Sequence, residues 1–298
     1  MNQRETAVGQ KKGGLTHIVI YVLLALLAIS IIVPVAWVFM ASVKQNKEFY
    51  GNPFTLPEGL YFQNFVDAWT KARMGDYFMT SVMITALALI ILLVVALPAS
   101  YVLSRYTFVG RKIINGGFMA GLFINVNYIV VPIFLMFVSG DRLLNKWFGV
   151  SFFLNNPFVV AVVLASTTLP FTIYLLSSYL ATLPKDYEEA AYVDGAGYFT
   201  TMIRIILPMA KPSIITVILF EFLAYWNEYI ISMTMLTDPT GARTLPVGLL
   251  NLMKAQNAKA EYGQMYAGLV LVMVPTLILY ICVQKKLTEG MTVGGLKG

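Results

Sequence analysis

Residues 188–212 read EEAAYVDGAGYFTTMIRIILPMAKP, an amphiphilic insert between long apolar runs. Pro184 stands where a helix can start, and Asp186, Glu188 and Glu189 fall in its first turn. Carboxylates there complement the positive end of the helix dipole. Tyr187, Ala190, Ala191 and Asp194 share one face by three- and four-residue spacing. That face is mostly small, so another surface can approach it closely. Gly195 and Gly197 supply the backbone freedom that ends such a helix. A second run, 198–207, is expected to stop at Pro208. The insert thus predicts a compact helix-turn-helix knob beside a membrane.

The membrane follows from what surrounds the knob. The chain has 298 residues, 58% hydrophobic and 12% charged, where a soluble domain is about a quarter charged. Six runs reach the roughly 20 helical residues needed to cross about 30 Å of hydrocarbon: 18–41, 78–104, 113–137, 157–180, 212–236 and 264–283. Lipid offers no hydrogen bonds, so these spans are expected to be helices. The predicted fold is an all-α polytopic membrane protein. It has a polar tail at 1–17, a six-span transmembrane body at 18–284 with the knob loop at 184–211, and a basic, glycine-rich tail at 285–298. The N-terminal tail reads as uncleaved, since no small-residue cleavage site is evident. Pro34, Pro98, Pro132, Pro170 and Pro275 fall inside spans, where each removes a helical hydrogen bond. Gly117 and Gly121 have the spacing that permits close helix approach.

Lys and Arg are denser in the loops that share a side with the knob and both termini, including Arg105, Arg111, Lys112, Lys185, Arg204, Lys285 and Lys286. That side is expected to be cytoplasmic. The outer loops are then 43–77, 139–156 and 237–263, with an amphipathic helix near 64–72 and a short helix after the proline turn in RTLPVGLLNLMKAQ. The net charge of +6 is spread over short loops, which fits membrane orientation and not a nucleic-acid partner.

The spelling of the knob adds a resemblance. Glu189, Ala190, Ala191, Asp194, Gly195, Ala196, Ile206, Leu207 and Pro208 resemble the cytoplasmic coupling loop of ATP-binding-cassette importer permeases. The likeness is greatest to the smaller permease of maltose-type carbohydrate transporters, and it runs from about residue 64 to the C-terminus. It implies a second homologous permease, an ATPase subunit dimer that binds ATP and Mg, an extracytoplasmic solute-binding protein, and a sugar substrate. It also implies the cytoplasmic membrane of a prokaryote, no cofactor on this chain, and alternating access driven by the ATPases. The C-terminal tail resembles those that reach between the two ATPase subunits.

Residues 220–233, FEFLAYWNEYIISM, carry the polar residues of the fifth span. On one continuous helix Glu221, Tyr225, Glu228 and Ser232 form a stripe, flanked by Trp226, Asn227 and Tyr229. Intramembrane charges usually face a cavity or a partner. Carboxylates and amides bond sugar hydroxyls, and aromatic rings stack on pyranose faces, so Glu221, Tyr225, Trp226, Asn227 and Glu228 are the candidate substrate pathway. The same residues also suit packing between subunits, and the sequence leaves both roles open.

No GxxxxGK phosphate loop followed by Ser or Thr is present, and His17 is the only histidine. ATP hydrolysis, HExxH metal chemistry and Ser/His catalysis by this chain are therefore unsupported. Cys282 lies in an apolar run, with no second cysteine for a disulfide. The remaining alternatives are an ion-coupled secondary carrier, kept open by Glu221 and Glu228, and a non-transporting membrane scaffold. A carrier of that kind calls for internal symmetry, and no clear repeat is visible between the halves.

Overall fold

The computed structural model describes residues 14–50, 52–259 and 261–295, with side chains over 17–50, 52–255 and 261–284. The expected N-terminal tail lies outside these residues up to 13, and so do the side chains of the tail after 284. Every α-helix follows in chain order: α1 (Gly14–Ser42), α2 (Gln63–Thr70), α3 (Met74–Arg105), α4 (Arg111–Gly121), α5 (Val126–Phe148), α6 (Pro157–Leu180), α7 (Asp186–Val193), α8 (Tyr198–Thr201), α9 (Leu207–Met209), α10 (Lys211–Trp226), α11 (Ile230–Met235), α12 (Leu245–Lys259) and α13 (Tyr262–Gly295). The described residues contain no strand.

Five helices are long and apolar enough to cross a membrane: α1, α3, α5, α6 and α13. A sixth apolar stretch, α10, meets the segment Tyr198–Met209 at a bend of 76°. The five prolines expected inside spans all lie within helices. Both short helices expected in the outer loops form, as α2 and α12.

Two expected spans need correction. The run 113–137 is not one helix, because it breaks between α4 and α5. Asn125 causes the break: its side chain accepts from the Asn127 backbone N–H at 2.9 Å and starts a new helix. That helix continues to Phe148, through residues expected in an outer loop. Likewise 212–236 divides into α10 and α11 around Asn227–Tyr229, so the polar stripe is not one face of one helix.

The centre of the molecule is the pair α3 and α6. Ile84, Ala88, Leu92 and Ala96, at four-residue steps, are buried in a cluster with Val160, Leu164, Ile173 and Leu176. Small residues alternating with large ones let the backbones approach, and in lipid that packing is what holds helices together. Gly121 also serves this purpose, since an added Cβ there would stand 2.9 Å from the Pro170 ring. Gly117 has open space around it. By contrast α1 touches the body mainly through α13. Residues from Ile18 to Val33 are largely exposed, leaving α1 to lipid or another chain.

At the end of the bundle where α3 and α13 begin, the loop after α1 is pinned by a buried cation. Lys44 is 0% exposed; its Nζ donates to the Pro53 carbonyl at 2.9 Å and lies 4.6 Å from the Trp37 ring centroid. Asn64 donates to the carbonyls of Ser42 and Lys44 at 2.9 and 2.8 Å. These bonds tie α2 to the end of α1.

Candidate functional site

The knob lies at the opposite end of α3. Its first helix, α7, has Asp186, Glu188 and Glu189 in the first turn. The helix closes with paired bonds, Gly195 N–H to the Tyr192 carbonyl at 3.0 Å and Ala196 N–H to the Ala191 carbonyl at 2.9 Å. This closure requires a left-handed residue, and Gly195 supplies it at φ 78°. Gly197 does not share that role: its φ is −73°, and it leads into α8.

The second run does not stop at Pro208. After α8 the backbone widens into a π turn, Met202–Ile206, in which Leu207 N–H bonds the Met202 carbonyl. Pro208 cannot donate, and the widened turn before it absorbs that loss. The bend comes two residues later, at Ala210.

The structure sorts the motif residues by side. Ala191 is buried, Ile206 is completely buried, and Leu207 is half-buried beside Tyr101, Leu180, Met202 and Ala210. These residues hold the knob to the body. Glu189, Ala190, Asp194, Gly195 and Pro208 are exposed, while Ala196 is half-buried. The expected small-residue face is therefore split, because Ala191 points inward.

Two features of the knob were not legible in the sequence. Its outer surface is apolar, with Tyr192 82% exposed, Val193 85% and Phe199 68%. The knob is also locked to α3: Arg105 Nε stands 3.4 Å from Glu188 Oε1, and the Tyr101, Tyr106 and Tyr198 rings meet with centroids 5.4–5.6 Å apart. Glu188 sits next to Glu189 in sequence, but only the helix phase separates an inward carboxylate from an outward one.

The fifth-span residues divide in the same way. Glu221 is 2% exposed and accepts from the Thr172 hydroxyl at 3.2 Å. Tyr225 is buried, and its hydroxyl bonds that of Thr168. Trp226 is buried, stacks on Phe222 and donates from Nε1 to the Val272 carbonyl at 3.2 Å. These three tie α10 to α6 and α13 within this chain. Glu228 caps α11: its carboxylate accepts from the backbone N–H groups of Ile231 and Ser232 and from the Ser232 hydroxyl at 2.8 Å. A carboxylate there complements the helix dipole. Asn227 and Tyr229 remain exposed at the break. Non-helical backbone at membrane depth is tolerated where protein covers it or a cavity wets it. No group of three or more His, Cys, Asp or Glu able to hold a metal occurs among the described residues.

The body is all-helical and multi-span among the described residues, with the knob at one end. The chain belongs to the family of binding-protein-dependent transport system inner membrane components, matched over residues 14–292. It is therefore a transport component and not an enzyme. It is 33% identical to the diacetylchitobiose uptake system permease protein NgcG of Streptomyces coelicolor, over 92% of this chain and 87% of that protein. It is 30% identical to the trehalose/maltose transport system permease protein MalG of Thermococcus litoralis, over 92% and 94%. A solved bacterial ABC transporter involved in importing the acidic polysaccharide alginate superposes with a TM-score of 0.73 at 22% identity, over 94% of this chain and 99% of that one.

Proposed function

We propose that the chain is the permease subunit of an ATP-binding-cassette sugar importer, forming half of a translocation pathway. The observation that carries this reading is the knob: it meets α3 through an ion pair and ring contacts on one side and presents an exposed apolar surface, with Glu189, on the other. That surface suits a cleft on a separate ATPase subunit, which binds the ATP and Mg. The knob end of the bundle is cytoplasmic in this reading, supported by its Lys and Arg density. The opposite end, with α2 and α12, faces a solute-binding protein.

A second, homologous permease completes the pathway, and the exposed α1 supports such a neighbour. Relatives named for diacetylchitobiose and for trehalose and maltose support a carbohydrate cargo. Asn227 and Tyr229, at the helix break, are the pathway residues favoured by exposure. Glu221, Tyr225 and Trp226 act behind them as supports.

The test is uptake into vesicles holding the complete complex. ATP inside and sugar-loaded binding protein outside should drive accumulation that ionophores leave unchanged. Accumulation abolished by ionophores and indifferent to ATP would establish an ion-coupled carrier instead.

A further inference from the structure

A cavity of about 480 Å³ lies at the end of the bundle where α3 and α13 begin. Its volume falls within the roughly 300–1,000 Å³ typical of small-molecule sites. It is remote from the knob, and none of Glu221, Tyr225, Trp226, Asn227 or Glu228 lines it. α2 and α12 wall it, and part of the wall is apolar, made by the Tyr77 ring with Leu252. Ala72 and Ala255 extend the apolar part, and Asn64, Asp67, Asn251 and Glu261 supply polar groups.

Three observations make this a built site. First, Asn251 lines the cavity, and its Nδ2 is buried without a hydrogen-bond partner, which costs about 1–3 kcal/mol. Second, the wall is preset. A Cβ on Gly248 would come within 2.1 Å of the Tyr77 ring, so the backbone of α12 lies directly against that ring. Asn64 uses both amide hydrogens on the Ser42 and Lys44 carbonyls, leaving its oxygen as the remaining acceptor. Third, the charge is selective. Asp67 is held by Gln63 at 2.8 Å and Lys71 at 3.0 Å, and these bonds keep its carboxyl below the usual range and ionised. Glu261 adds a second carboxylate, so among the described lining residues two carboxylates stand against one cation, Lys71, which is paired with Asp67.

Hydroxyl-rich rings match this pattern. Their polar edges take amide and carboxylate bonds, and their apolar faces lie on an aromatic ring. A uronate would meet like charge. We infer that this cavity binds an uncharged mono- or disaccharide, as a holding site distinct from the broken fifth helix. The inference rests on the sugar-import reading and adds a second saccharide site to it.

The test uses the full chain in lipid nanodiscs prepared without maltoside detergents. Diazirine derivatives of maltose and of N,N′-diacetylchitobiose serve as probes, with labelled peptides mapped by mass spectrometry. At least one probe should label peptides containing Tyr77 or Asn251, in competition with its unmodified sugar and at least tenfold less with glucuronic acid. Asn251→Leu should cut that labelling about tenfold at an unchanged melting temperature. Glu261→Gln should narrow the discrimination against glucuronic acid, and it carries the test should the first variant fail to fold. Absence of label at these peptides from both probes overturns the inference. So does equal labelling of wild type and Asn251→Leu, or equal competition by glucuronic acid in the wild type. ATP-driven sugar uptake by the complete complex, measured in parallel, separates the two readings. Uptake without cavity labelling overturns only the cavity site, and a complex that moves no sugar overturns the importer reading.

Discussion

Arg105 at the last residue of α3 stands 3.4 Å from Glu188 in the first turn of α7, and its side chain is only 3% exposed. This buried ion pair joins the longest central helix to the knob. Beside it the Tyr101 and Tyr198 rings meet at 5.4 Å. The knob and α3 therefore meet by direct side-chain contact and not only through the chain between them. Removing one member leaves a buried charge unpaired, which costs about 3–5 kcal/mol. Glu188→Gln and Arg105→Met should each lower the melting temperature of the chain and reduce substrate-stimulated ATPase activity of the complex. The double variant should recover more stability than the two losses summed would allow. Additive losses in a double-mutant cycle would show that the pair is not coupled.

Glu189 points away from the body and is exposed, so its loss should leave the chain stable. Glu189→Ala should weaken copurification with the ATPase and lower coupled ATPase activity about tenfold. Tyr192→Ser should do the same through lost apolar contact. Normal copurification of both variants, with wild-type coupled activity, would remove this surface from the ATPase interface.

Gly195→Val tests the turn itself. The position has φ 78°, which a β-branched residue adopts only with strain of about 1–3 kcal/mol. The helix pair should fray, seen as faster hydrogen exchange over residues 186–209, while the membrane body keeps its protection. Unchanged exchange in that segment would show that the turn tolerates the side chain.

Glu228 caps α11 through two backbone N–H groups and one hydroxyl. Glu228→Gln keeps an acceptor and should retain assembly and most uptake. Glu228→Leu removes the cap, at about 1 kcal/mol or more, and should disturb the break at Asn227 and slow uptake. Loss of uptake in Glu228→Gln with an intact complex would instead point to direct substrate contact by the carboxylate.

Lys44 is buried in its own chain, bonded to the Pro53 carbonyl and facing Trp37. Lys44→Met keeps the stem and removes the charge and the bond. It should destabilise the loop after α1 by about 1–3 kcal/mol, read as faster hydrogen exchange over 52–58 with the body unchanged. Unaltered protection would show that the buried cation is not what pins the loop.

Composition and apolar runs determined the membrane class, all-helical content and most span positions, because lipid leaves the backbone only internal hydrogen bonds. The turn at Gly195 was legible too, since a left-handed position favours glycine and the motif spacing marks it. What the sequence left open was decided by caps and by phase. Asn125 and Glu228 start new helices inside apolar runs, the first taking one backbone N–H and the second two, and hydropathy does not register such caps. Glu188 and Glu189 are neighbours of the same chemistry, yet 100° of helical rotation sends one to Arg105 and leaves the other exposed. Only tertiary packing fixes that phase, because it depends on which face of α7 the end of α3 and the 202–210 segment cover. Arg105 and Glu188 are far apart in sequence, and the fold alone brings them together.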